Sequence, residues 1–448
     1  MPALTEKGDF EKVLYKQNEK MLFEKGSYKK VVKREVNQGM KKRCDLIIIG
    51  GGAAGLACAV EASKTFGGNI ILLDRKPKVG KKLLVTGNGR CNLSNRNMSE
   101  EFYHGSFDVK PLLEEFPDLR LFFEKLGLYT VSDTAGRIYP LPNTASSVLD
   151  ALRFAIEKKD NVQILTDSHC NDLQKTKDGF TVKAGEHEIR GKAVVLACGG
   201  CAAPVHGSDG SGFELAKELG ISVNKPYPAL CSLLTDGTKP LDGVRCKCAA
   251  SLYRKGLLEK SELGEVQFTK NGLSGICIFN LSAAFPEGEK DVKVSLDLLP
   301  DYTQNDVYNM LWNVCRTRKR DLAEEIFNGI FNRKIALYLL KKADIPTSAI
   351  SAKMDIFDIK KLAALSKNLE FEIKGRGDFS SAQVTAGGVI GSEIDSNFMS
   401  VKHKGLFFAG EIIDVWGDCG GYNLHFAFSS GIKAGRSAVK LLSEKEQR

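Results

Sequence analysis

The sequence predicts an α/β protein whose parallel sheet is built from both ends of the chain, with segments of different character inserted between them. Residues 45–49 form a buried β-type run that leads into a glycine-rich turn and an Ala-rich helix. A second apolar strand follows at 70–73, and another strand that runs into glycine lies at 405–410. Strand-helix-strand units join parallel strands by right-handed crossovers, so these three strands are expected to share one sheet.

The first strand-helix-strand unit contains a nucleotide-binding fingerprint. Gly50, Gly52 and Gly55 have G-x-G-x-x-G spacing between the predicted strand and helix. The first glycine permits a tight turn, the second lets the backbone approach a pyrophosphate, and the third allows close helix packing. Asp74 ends the second strand, where its carboxylate is placed to accept hydrogen bonds from ribose hydroxyls. The unit therefore predicts a Rossmann-type dinucleotide site, with the phosphates at a helix N-terminus.

The middle of the chain has a different texture. Residues 190–198 resemble another buried strand, residues 228–300 alternate and predict a β-rich region, and residues 303–366 carry helical periodicity that Pro346 interrupts. Residues 423–442 fit a closing helix. The predicted divisions are 1–39 as an N-terminal extension, 40–225 and 382–448 as the two parts of the nucleotide-binding domain, 226–302 and 367–381 as the β-rich domain, and 303–366 as a helical insert.

Basic charge is concentrated at the start of the chain. The net charge is +9, and residues 1–43 hold 12 Lys/Arg against 6 Asp/Glu, which leaves +3 for the remainder. We interpret residues 1–39 as a disordered or non-native tail, because residues 34–36 (Arg-Glu-Val) can be encoded by a purine-rich ribosome-binding sequence shortly before Met40. Translation is then expected to start at Met40. A genuine basic arm is the alternative.

Cysteine usage and hydropathy indicate a cytoplasmic protein. The 12 Cys lack a disulfide-rich rhythm, and the sequence contains neither a signal-peptide core nor an apolar run of about 18 residues. We therefore expect mostly reduced thiols and no membrane contact. Cys246 and Cys248 have no second pair at zinc-ligand spacing, so no metal site is predicted.

The C-terminal part of the chain favours FAD over NAD as the bound dinucleotide. Gly410 and Glu411 follow an apolar strand, and a second glycine cluster at 420–424 begins the closing helix. In two-site flavoproteins such a strand brings a carboxylate to the ribityl and pyrophosphate region, and the helix points its N-terminus at the flavin ring. No second dinucleotide fingerprint is present in the sequence. We expect NAD(P)H to bind transiently, over the flavin or in the middle domain.

Four sequence motifs resemble those of the BaiN-like FAD-dependent oxidoreductases. They lie at 80–92, 382–389, 408–415 and 420–424, and the match covers about 40–440. The resemblance implies a Rossmann-type FAD-binding domain, an inserted β-barrel-like domain and a small helical domain. It also implies NAD(P)H-linked reduction of a conjugated C=C bond in a 3-oxo bile-acid intermediate or its thioester, in bile acid 7-dehydroxylation. The expected partner is this small molecule, with no nucleic acid and no membrane.

The sequence departs from the family's usual pattern at three positions. Cys198 stands where Thr is often found, Asp74 where Glu is commoner, and Ile276 where Pro is usual. The first two changes are compatible with FAD binding. The cofactor-binding residues that the fingerprint and the resemblance together predict are Gly50, Gly52, Ala53, Ala54, Gly55, Asp74, Arg75, Lys81, Asn88, Arg90, Cys91, Asn92, Cys170, Gly387, Gly410, Glu411, Gly421, Tyr422, Asn423 and Leu424.

The catalytic acid is less well defined by the sequence. Reduction of an enone needs a hydride at one carbon, a proton at its neighbour and a donor at the ketone oxygen. Tyr422, beside the second glycine cluster, is suited to either donor role, and its alternative is to pack on the flavin or to cap the helix. His206 and His425 are further candidate acids. Cys91 is equally compatible with apolar packing and with a position facing the flavin.

Three other functions are compatible with these residues. The first is a flavin oxidase of small amines. The second is a flavin-dithiol reductase that uses the C-x-x-C pair Cys198 and Cys201, although the favoured explanation is that Cys198 ends a buried strand and Cys201 is incidental. The third is an FAD protein that recognises RNA through the basic residues 1–43.

Overall fold

Two hydrophobic cores organise the protein. A computed structural model describes residues 41–285 and 289–446, and the chain from residue 42 onward forms one compact unit. The first core combines residues 44–221 with residues 389–442, and the second lies within 233–373. The predicted extension at 1–39 and the predicted start at Met40 lie outside the described residues.

The described strands form five sheets. In chain order they are β1 (Lys41–Ile49), β2 (Ile70–Leu73), β3 (Ser94–Asn95), β4 (Tyr103–Gly105), β5 (Thr130–Ser132), β6 (Arg137–Pro140), β7 (Val162–Leu165), β8 (Cys170–Thr176), β9 (Gly179–Ala184), β10 (His187–Leu196), β11 (Val223–Ala229), β12 (Leu233–Leu234), β13 (Arg245–Arg254), β14 (Leu257–Thr269), β15 (Gly272–Ser274), β16 (Val292–Asp297), β17 (Leu369–Glu372), β18 (Gly375–Arg376), β19 (Val384–Val389), β20 (Leu406–Phe408) and β21 (Val415–Gly417).

The helices surround these sheets and connect their strands. The α-helices are α1 (Ala53–Thr65), α2 (Lys110–Glu115), α3 (Arg120–Glu124), α4 (Ala145–Glu157), α5 (Ser211–Glu218), α6 (Ile276–Ala283), α7 (Gln304–Thr317), α8 (Ala323–Ile326), α9 (Arg333–Lys342), α10 (Ile356–Lys367) and α11 (Tyr422–Glu446). Short 3₁₀ helices lie at Leu83–Gly89, Glu100–Phe102, Pro204–His206, Lys239–Leu241, Ser351–Lys353, Gly391–Glu393 and Gly410–Ile412. Among the described residues, no helix combines the length and apolar character that a membrane crossing requires.

The main sheet is built from both chain ends. Its strand order is β7-β2-β1-β10-β9-β8, and β20 from the C-terminal part pairs with β10. The pairs β1-β2, β2-β7 and β10-β20 are parallel, with Ile48 opposite Leu72 and Val195 opposite Phe407. Strands β8, β9 and β10 form an antiparallel meander. The predicted α/β Rossmann fold with a parallel sheet from both chain ends is confirmed.

Close packing of α1 against α11 fixes the site. Residues 46–49 of β1 are buried on both faces, because helices and strands cover the parallel sheet. Helix α11 crosses α1 at small residues, and a Cβ added at Gly431 would lie 2.2 Å from the Ala54 carbonyl oxygen. Gly435 approaches the Cys58 backbone in the same way. The first turn of α1 is thereby held against Gly431, the tenth residue of α11.

The inserted segment contains an antiparallel sheet that curls back on itself. Its strand order is β17-β16-β13-β14-β15-β12-β18. The two outer strands are joined by residues 373–374, whose N–H groups donate to the carbonyl oxygens of Val292 and Leu234 at 2.9 Å each. Helices α7 to α10 contribute to the same core. These elements lie where the sequence indicates β-rich and helical segments, and the domain boundaries themselves stay a prediction.

Candidate functional site

A cavity of about 560 Å³ lies at the carboxyl ends of the parallel strands. Its wall includes Gly50 after β1, Asp74 after β2, Cys198 after β10 and Gly410 after β20. Open α/β sheets bind ligands at this edge, because the loops that follow neighbouring strands diverge there. The cavity is therefore the candidate site.

The fingerprint turn presents bare backbone to the cavity. Gly50 has φ +112°, and a Cβ there would lie 2.3 Å from the Ala197 carbonyl oxygen. Gly52 is the N-cap of α1, lines the cavity and has no atom within 4 Å of an added Cβ. Gly55 lies behind the turn, where a Cβ would meet the Gly50 carbonyl oxygen at 1.8 Å. Open space in front of a helix N-terminus is the arrangement that binds phosphate groups.

Asp74 is fixed at the cavity wall by backbone donors. Its Oδ2 accepts from the Gly51 N–H at 3.0 Å and its Oδ1 from the Lys76 N–H at 2.7 Å. Burial raises the pKa of this carboxyl above its ordinary value, and these hydrogen bonds oppose the increase. Arg75 forms an ion pair with Asp209. The Asp74 carboxylate lies at the cavity wall, and its contact with a ribose stays a prediction.

Glu411 ties three distant segments together at the cavity. Its Oε2 lies 2.6 Å from the Lys82 Nζ, and its Oε1 accepts from the Thr385 N–H at 2.7 Å. The Thr385 hydroxyl oxygen in turn accepts from the N–H groups of Cys201 and Ala202 at 2.7 and 2.9 Å. The carboxylate thus joins the loop after β2 to β19 and the turn after β10.

The loop at 83–92 supplies cationic and polar groups. Asn88 adopts a left-handed conformation, with φ +55°. The Arg90 guanidinium lies 4.8 Å from the centroid of the Tyr139 ring. Asn92 has a buried Oδ1 with no hydrogen-bond partner, close to the Gly421 backbone. Leaving such an acceptor unpaired costs about 1–3 kcal/mol, so a ligand N–H at this position would be stabilising.

The N-terminus of α11 closes the other end of the cavity. Gly421 has φ +104°, and a Cβ there would lie 2.2 Å from the Ser94 carbonyl oxygen. The Asn423 side chain accepts from the Gly417 N–H and donates to the Gly417 carbonyl oxygen, both at 2.7 Å. The turn before the helix is therefore fixed in place. The partial positive charge at the N-terminus of α11 favours an anionic or electron-rich ligand group.

The structure gathers most of the predicted cofactor-binding residues at the cavity. Gly55, Cys91, Gly387 and Tyr422 do not line it. Cys91 is fully buried with a thiol pKa raised to about 12 by burial, which fits apolar packing, and Gly387 packs in β19 against the backbone at residue 225. The predicted residues that line the cavity are Gly50, Gly52, Ala53, Ala54, Asp74, Arg75, Lys81, Asn88, Arg90, Asn92, Cys170, Gly410, Glu411, Gly421, Asn423 and Leu424.

Tyr422, the predicted proton donor, packs away from the cavity. Its ring stacks on Phe102 with centroids 4.6 Å apart and meets the edge of Tyr103 at 5.9 Å. Its carbonyl oxygen accepts from the Tyr103 hydroxyl at 3.0 Å. Burial raises the pKa of its phenol to about 12. These contacts favour neither the donor role nor packing on the flavin.

The two candidate histidine acids differ in position. His206 lines the cavity, whereas His425 is fully buried in α11. The His425 Nε2 lies 2.9 Å from the Phe116 carbonyl oxygen, so it carries the proton, and its Nδ1 accepts from the Ser94 hydroxyl at 2.9 Å. Burial lowers its pKa to about 4. A neutral, fully bonded imidazole is a structural element here.

We predict that His425 makes the protein less stable as the pH falls. Its pKa is about 4 when folded and 6.5 by reference, so the unfolded chain binds the proton first as the pH falls below 6.5. The stabilisation by neutral His425 is complete above that pH and is lost as the pH approaches 4. Between pH 7 and pH 5, the free energy of unfolding measured with urea should fall by about 2 kcal/mol more for the wild type than for His425→Gln. Parallel pH profiles would contradict this prediction.

The cysteine pair Cys198 and Cys201 lacks the electrostatics of a redox dithiol. The Cys198 thiol belongs to a half-buried residue at the cavity wall and donates to the Ile49 carbonyl oxygen at 3.4 Å. Burial raises the pKa of both thiols, to about 11 for Cys201 and further for Cys198. Attacking thiols need a lowered pKa, so this geometry does not favour the dithiol alternative.

Replacing Cys201 with serine should leave turnover within about twofold of the wild type, because a thiol with a raised pKa contributes little nucleophile at neutral pH. Steady-state rates and the flavin content of the purified variant provide the measurement. A loss of about 100-fold with unchanged flavin content would instead identify a thiol-dependent reaction.

Several cavity-lining residues have no signal in the sequence. Lys82 stands beside Lys81 in one motif, and only the distant Glu411 distinguishes the two lysines. Arg137 and Tyr139 come from β6, which contains no fingerprint and reaches the cavity only through folding. Cys419 lies two residues before the predicted Gly421, and this closeness in sequence could have identified Cys419 as a cavity-lining residue. Further cavity-lining residues that the sequence analysis missed include Ser168, His169, Ser208 and Gln383.

Comparison with known families agrees with this geometry. The family model described as the HI0933-like protein Rossmann domain matches residues 44–437. The chain belongs to the HI0933-like family. It is therefore an FAD-dependent oxidoreductase, and three features of its cavity fit FAD: the open face of Gly52, the unpaired Asn92 acceptor and the carboxylate of Glu411.

Two curated relatives of this HI0933-like protein have names that state an activity. The 3-dehydro-bile acid delta(4,6)-reductase of Clostridium scindens is 35% identical over 409 residues, covering 88% of this chain and 98% of that protein. The ribosomal RNA dihydrouridine synthase of Escherichia coli is 29% identical over 406 residues, covering 87% and 96%. Both names describe reduction of a C=C bond.

A solved structure shares the fold of this HI0933-like protein. The 3-ketosteroid delta1-dehydrogenase of Sterolibacterium denitrificans aligns with a TM-score of 0.50 at 13% identity. The alignment covers 89% of this chain and all of that one. At this identity the likeness shows the fold alone.

Proposed function

We propose that this oxidoreductase reduces a C=C bond conjugated to a carbonyl group, with NAD(P)H as the transient electron donor. The observation that carries the proposal is the single cavity that joins the open N-terminus of α1 to the N-terminus of α11, where Arg90, Asn92 and Arg137 also lie. The end of the cavity at the α1 N-terminus suits a pyrophosphate, and the end at the α11 N-terminus suits an electron-rich ring.

The chain's own groups would hold FAD along this cavity. The N–H groups at the start of α1, beside Gly52, would bind the phosphates, and Asp74 would bind a ribose. The Asn92 carbonyl oxygen and the turn at Gly421 would contact the flavin end. Bound FAD, once reduced, supplies a hydride to a substrate carbon.

Donor groups at the flavin end would polarise the substrate. As the double bond is reduced, negative charge develops on the conjugated carbonyl oxygen, and fixed donors lower the cost of that charge. The N–H groups at the start of α11 and the guanidinium groups of Arg90 and Arg137 are such donors. Leu230, Ile276 and Val384 supply an apolar wall at the same cavity. The sequence has no second dinucleotide fingerprint, so the nicotinamide would approach this cavity in turn with the substrate.

The first candidate substrate is a 3-oxo bile-acid intermediate with ring unsaturation. The support is the 35% identical relative, which this chain matches over 98% of that protein's length. We further propose that the curled antiparallel sheet is the β-barrel-like substrate domain and that α7 to α10 form its helical insert. An apolar steroid would contact the Leu230 and Ile276 side of the cavity.

The second candidate substrate is a uridine of ribosomal RNA. The Escherichia coli relative makes dihydrouridine in ribosomal RNA. A uracil ring contains a C=C bond conjugated to a carbonyl, so the same donors would serve it. Residues 303–366 hold 11 Lys/Arg against 7 Asp/Glu, and every one of those cations is exposed. The expectation that no nucleic acid binds is therefore open.

Product analysis under identical conditions tests the proposal. The FAD-loaded protein is incubated anaerobically with NADH or NADPH, with a 3-oxo-4-ene bile acid in one arm and unmodified ribosomal RNA transcript in the other. We expect one arm to consume NAD(P)H and to yield the saturated product in equal amounts. Peroxide release from a small amine in air, without NAD(P)H and with both arms silent, would show an amine oxidase and overturn the proposal.

A further inference from the structure

We propose that a basic surface at the C-terminal end of α7 binds the phosphate backbone of RNA. The basic surface consists of Arg316, Lys319, Arg320 and Lys353, all of which are exposed. The proposal rests on the second candidate function, in which the substrate is a uridine within RNA. It names where the rest of such a long polyanion would contact the protein.

The charge of the chain after residue 43 is concentrated in this part of the fold. Residues 303–366 have a net charge of +4, whereas the chain after residue 43 totals +3, so the other residues after residue 43 together have a net charge of −1. Non-specific RNA affinity comes from Lys and Arg that neutralise phosphates and release counterions. Among the described residues, the positive electrostatic potential that attracts RNA is therefore expected at residues 303–366.

Backbone contacts bring the two parts of the basic surface together. The Ala352 N–H donates to the Lys319 carbonyl oxygen at 3.3 Å, and the Ser351 N–H donates to the Asp321 carbonyl oxygen at 2.9 Å. Lys353 thus follows a segment that is bonded directly to residues 319–321. Four cations from two separate stretches of sequence meet at one place.

These four cations are not neutralised by the protein itself. Among the residues that the structure describes, none of the four forms an ion pair, whereas the neighbouring Arg318 pairs with Asp321. Basic residues stabilise helix C-termini, which accounts for Arg316 in the last turn of α7. Lys319 and Arg320 lie outside the helices and Lys353 ends the three-residue 3₁₀ helix Ser351–Lys353, so this explanation does not extend to Lys319 and Arg320.

An aromatic stack borders the basic surface. The Arg316 guanidinium lies 4.0 Å from the centroid of the Trp312 ring. The Trp312 ring is stacked on Tyr308, with centroids 6.1 Å apart and planes at 20°. Both aromatic residues are partly exposed. Unpaired bases stack on such surfaces, and this combination favours RNA over an anionic membrane as the partner.

The basic surface is fixed before any partner arrives. Helix α7 begins with a capping box between Thr303 and Asp306. It buries Leu311 and Cys315, and the Cys315 Sγ lies 4.0 Å from the Met354 Sδ, close to Lys353. A preformed surface loses little conformational entropy on binding.

Charge reversal in the full-length, FAD-loaded protein tests the proposal. The variant carries Lys319→Glu, Arg320→Glu and Lys353→Glu, and the probe is an unmodified ribosomal RNA transcript. We expect the Kd to rise about 10- to 100-fold, and the slope of log K against log salt to become shallower by about 2. FAD content and flavin reduction by NAD(P)H should stay unchanged, because none of these residues lines the cavity.

A matched control separates the basic surface from the N-terminal segment. Lys25→Glu, Lys29→Glu and Lys30→Glu make the same charge change outside the described residues. We expect this control to bind the transcript nearly as the wild type does. Neutral Gln replacements at 319, 320 and 353 repeat the test with a smaller effect, should charge reversal lower the melting temperature.

The outcomes distinguish this proposal from the function on which it rests. Wild-type RNA binding that survives charge reversal, or that only the control abolishes, overturns the basic surface and leaves the function intact. If charge reversal abolishes RNA binding but the wild-type protein reduces no uridine, the basic surface is supported and the second candidate function is rejected. If the wild-type protein does not bind the transcript, the proposal is overturned. It is also overturned if charge reversal abolishes binding to anionic phospholipid vesicles and leaves binding to the transcript unchanged.

Discussion

Replacing Gly52 with valine should remove FAD from the protein and leave the fold intact. Gly52 has φ −83°, which a valine adopts without strain, and no atom lies within 4 Å of an added Cβ. The new side chain would fill the space in front of the α1 N-terminus, where the phosphates approach the backbone. We expect FAD affinity to fall by about 100-fold or more, and stability to fall by only about 1 kcal/mol from the poorer N-cap.

Gly67→Val is the matched control for this experiment. Gly67 is an exposed glycine with equally open surroundings, and it lies outside the cavity. Flavin content is read from the visible absorbance of each purified protein, and stability from thermal unfolding of the apoproteins. Full flavin content in Gly52→Val would contradict the phosphate assignment. Flavin loss in both variants would show that a valine at an open glycine disturbs the fold, rather than the phosphate site specifically.

Gly431→Ala should destabilise the whole nucleotide-binding part of the protein. The added Cβ would lie 2.2 Å from the Ala54 carbonyl oxygen and 2.9 Å from its carbonyl carbon. Both are backbone atoms of α1, so neither helix can relieve the overlap by a rotamer change, and overpacking of this kind costs about 1–3 kcal/mol. Separation of the helices would also displace the N-terminus of α11 from the cavity and weaken FAD binding.

Gly329→Ala provides the comparison for Gly431→Ala. No atom lies within 4 Å of a Cβ at Gly329, and its φ is not positive, so the same substitution there should be neutral. Thermal unfolding with and without added FAD measures both variants. Equal melting temperatures for the two would show that α1 and α11 are not packed as closely as the structure indicates.

The sequence predicts the parallel sheet and the fingerprint turn because local constraints determine them. The apolar run of β1 requires burial on both faces, and the spacing of Gly50, Gly52 and Gly55 is imposed by backbone approach. The pairing of Lys82 with Glu411 joins positions 329 residues apart, and no local pattern encodes it. Folding alone selects Lys82 over its neighbour.

Side-chain direction explains why the Tyr422 ring lies away from the cavity. It follows Gly421, which does line the cavity, but successive residues at a helix N-terminus point in directions about 100° apart. That rotation carries the ring onto Phe102 and Tyr103. Motif position predicts a turn that lines the cavity, whereas the direction of each side chain requires the structure.

An anaerobic flavin titration of the wild-type holoprotein tests the central claim most directly. The visible absorbance of the bound flavin is followed first with NADH or NADPH, then with a 3-oxo-4-ene bile acid, and in parallel with unmodified ribosomal RNA. We predict that NAD(P)H bleaches the flavin and that one of the two conjugated carbonyl compounds restores it stoichiometrically. A flavin that NAD(P)H bleaches but only oxygen restores would contradict reduction of a conjugated C=C bond as the function of this protein.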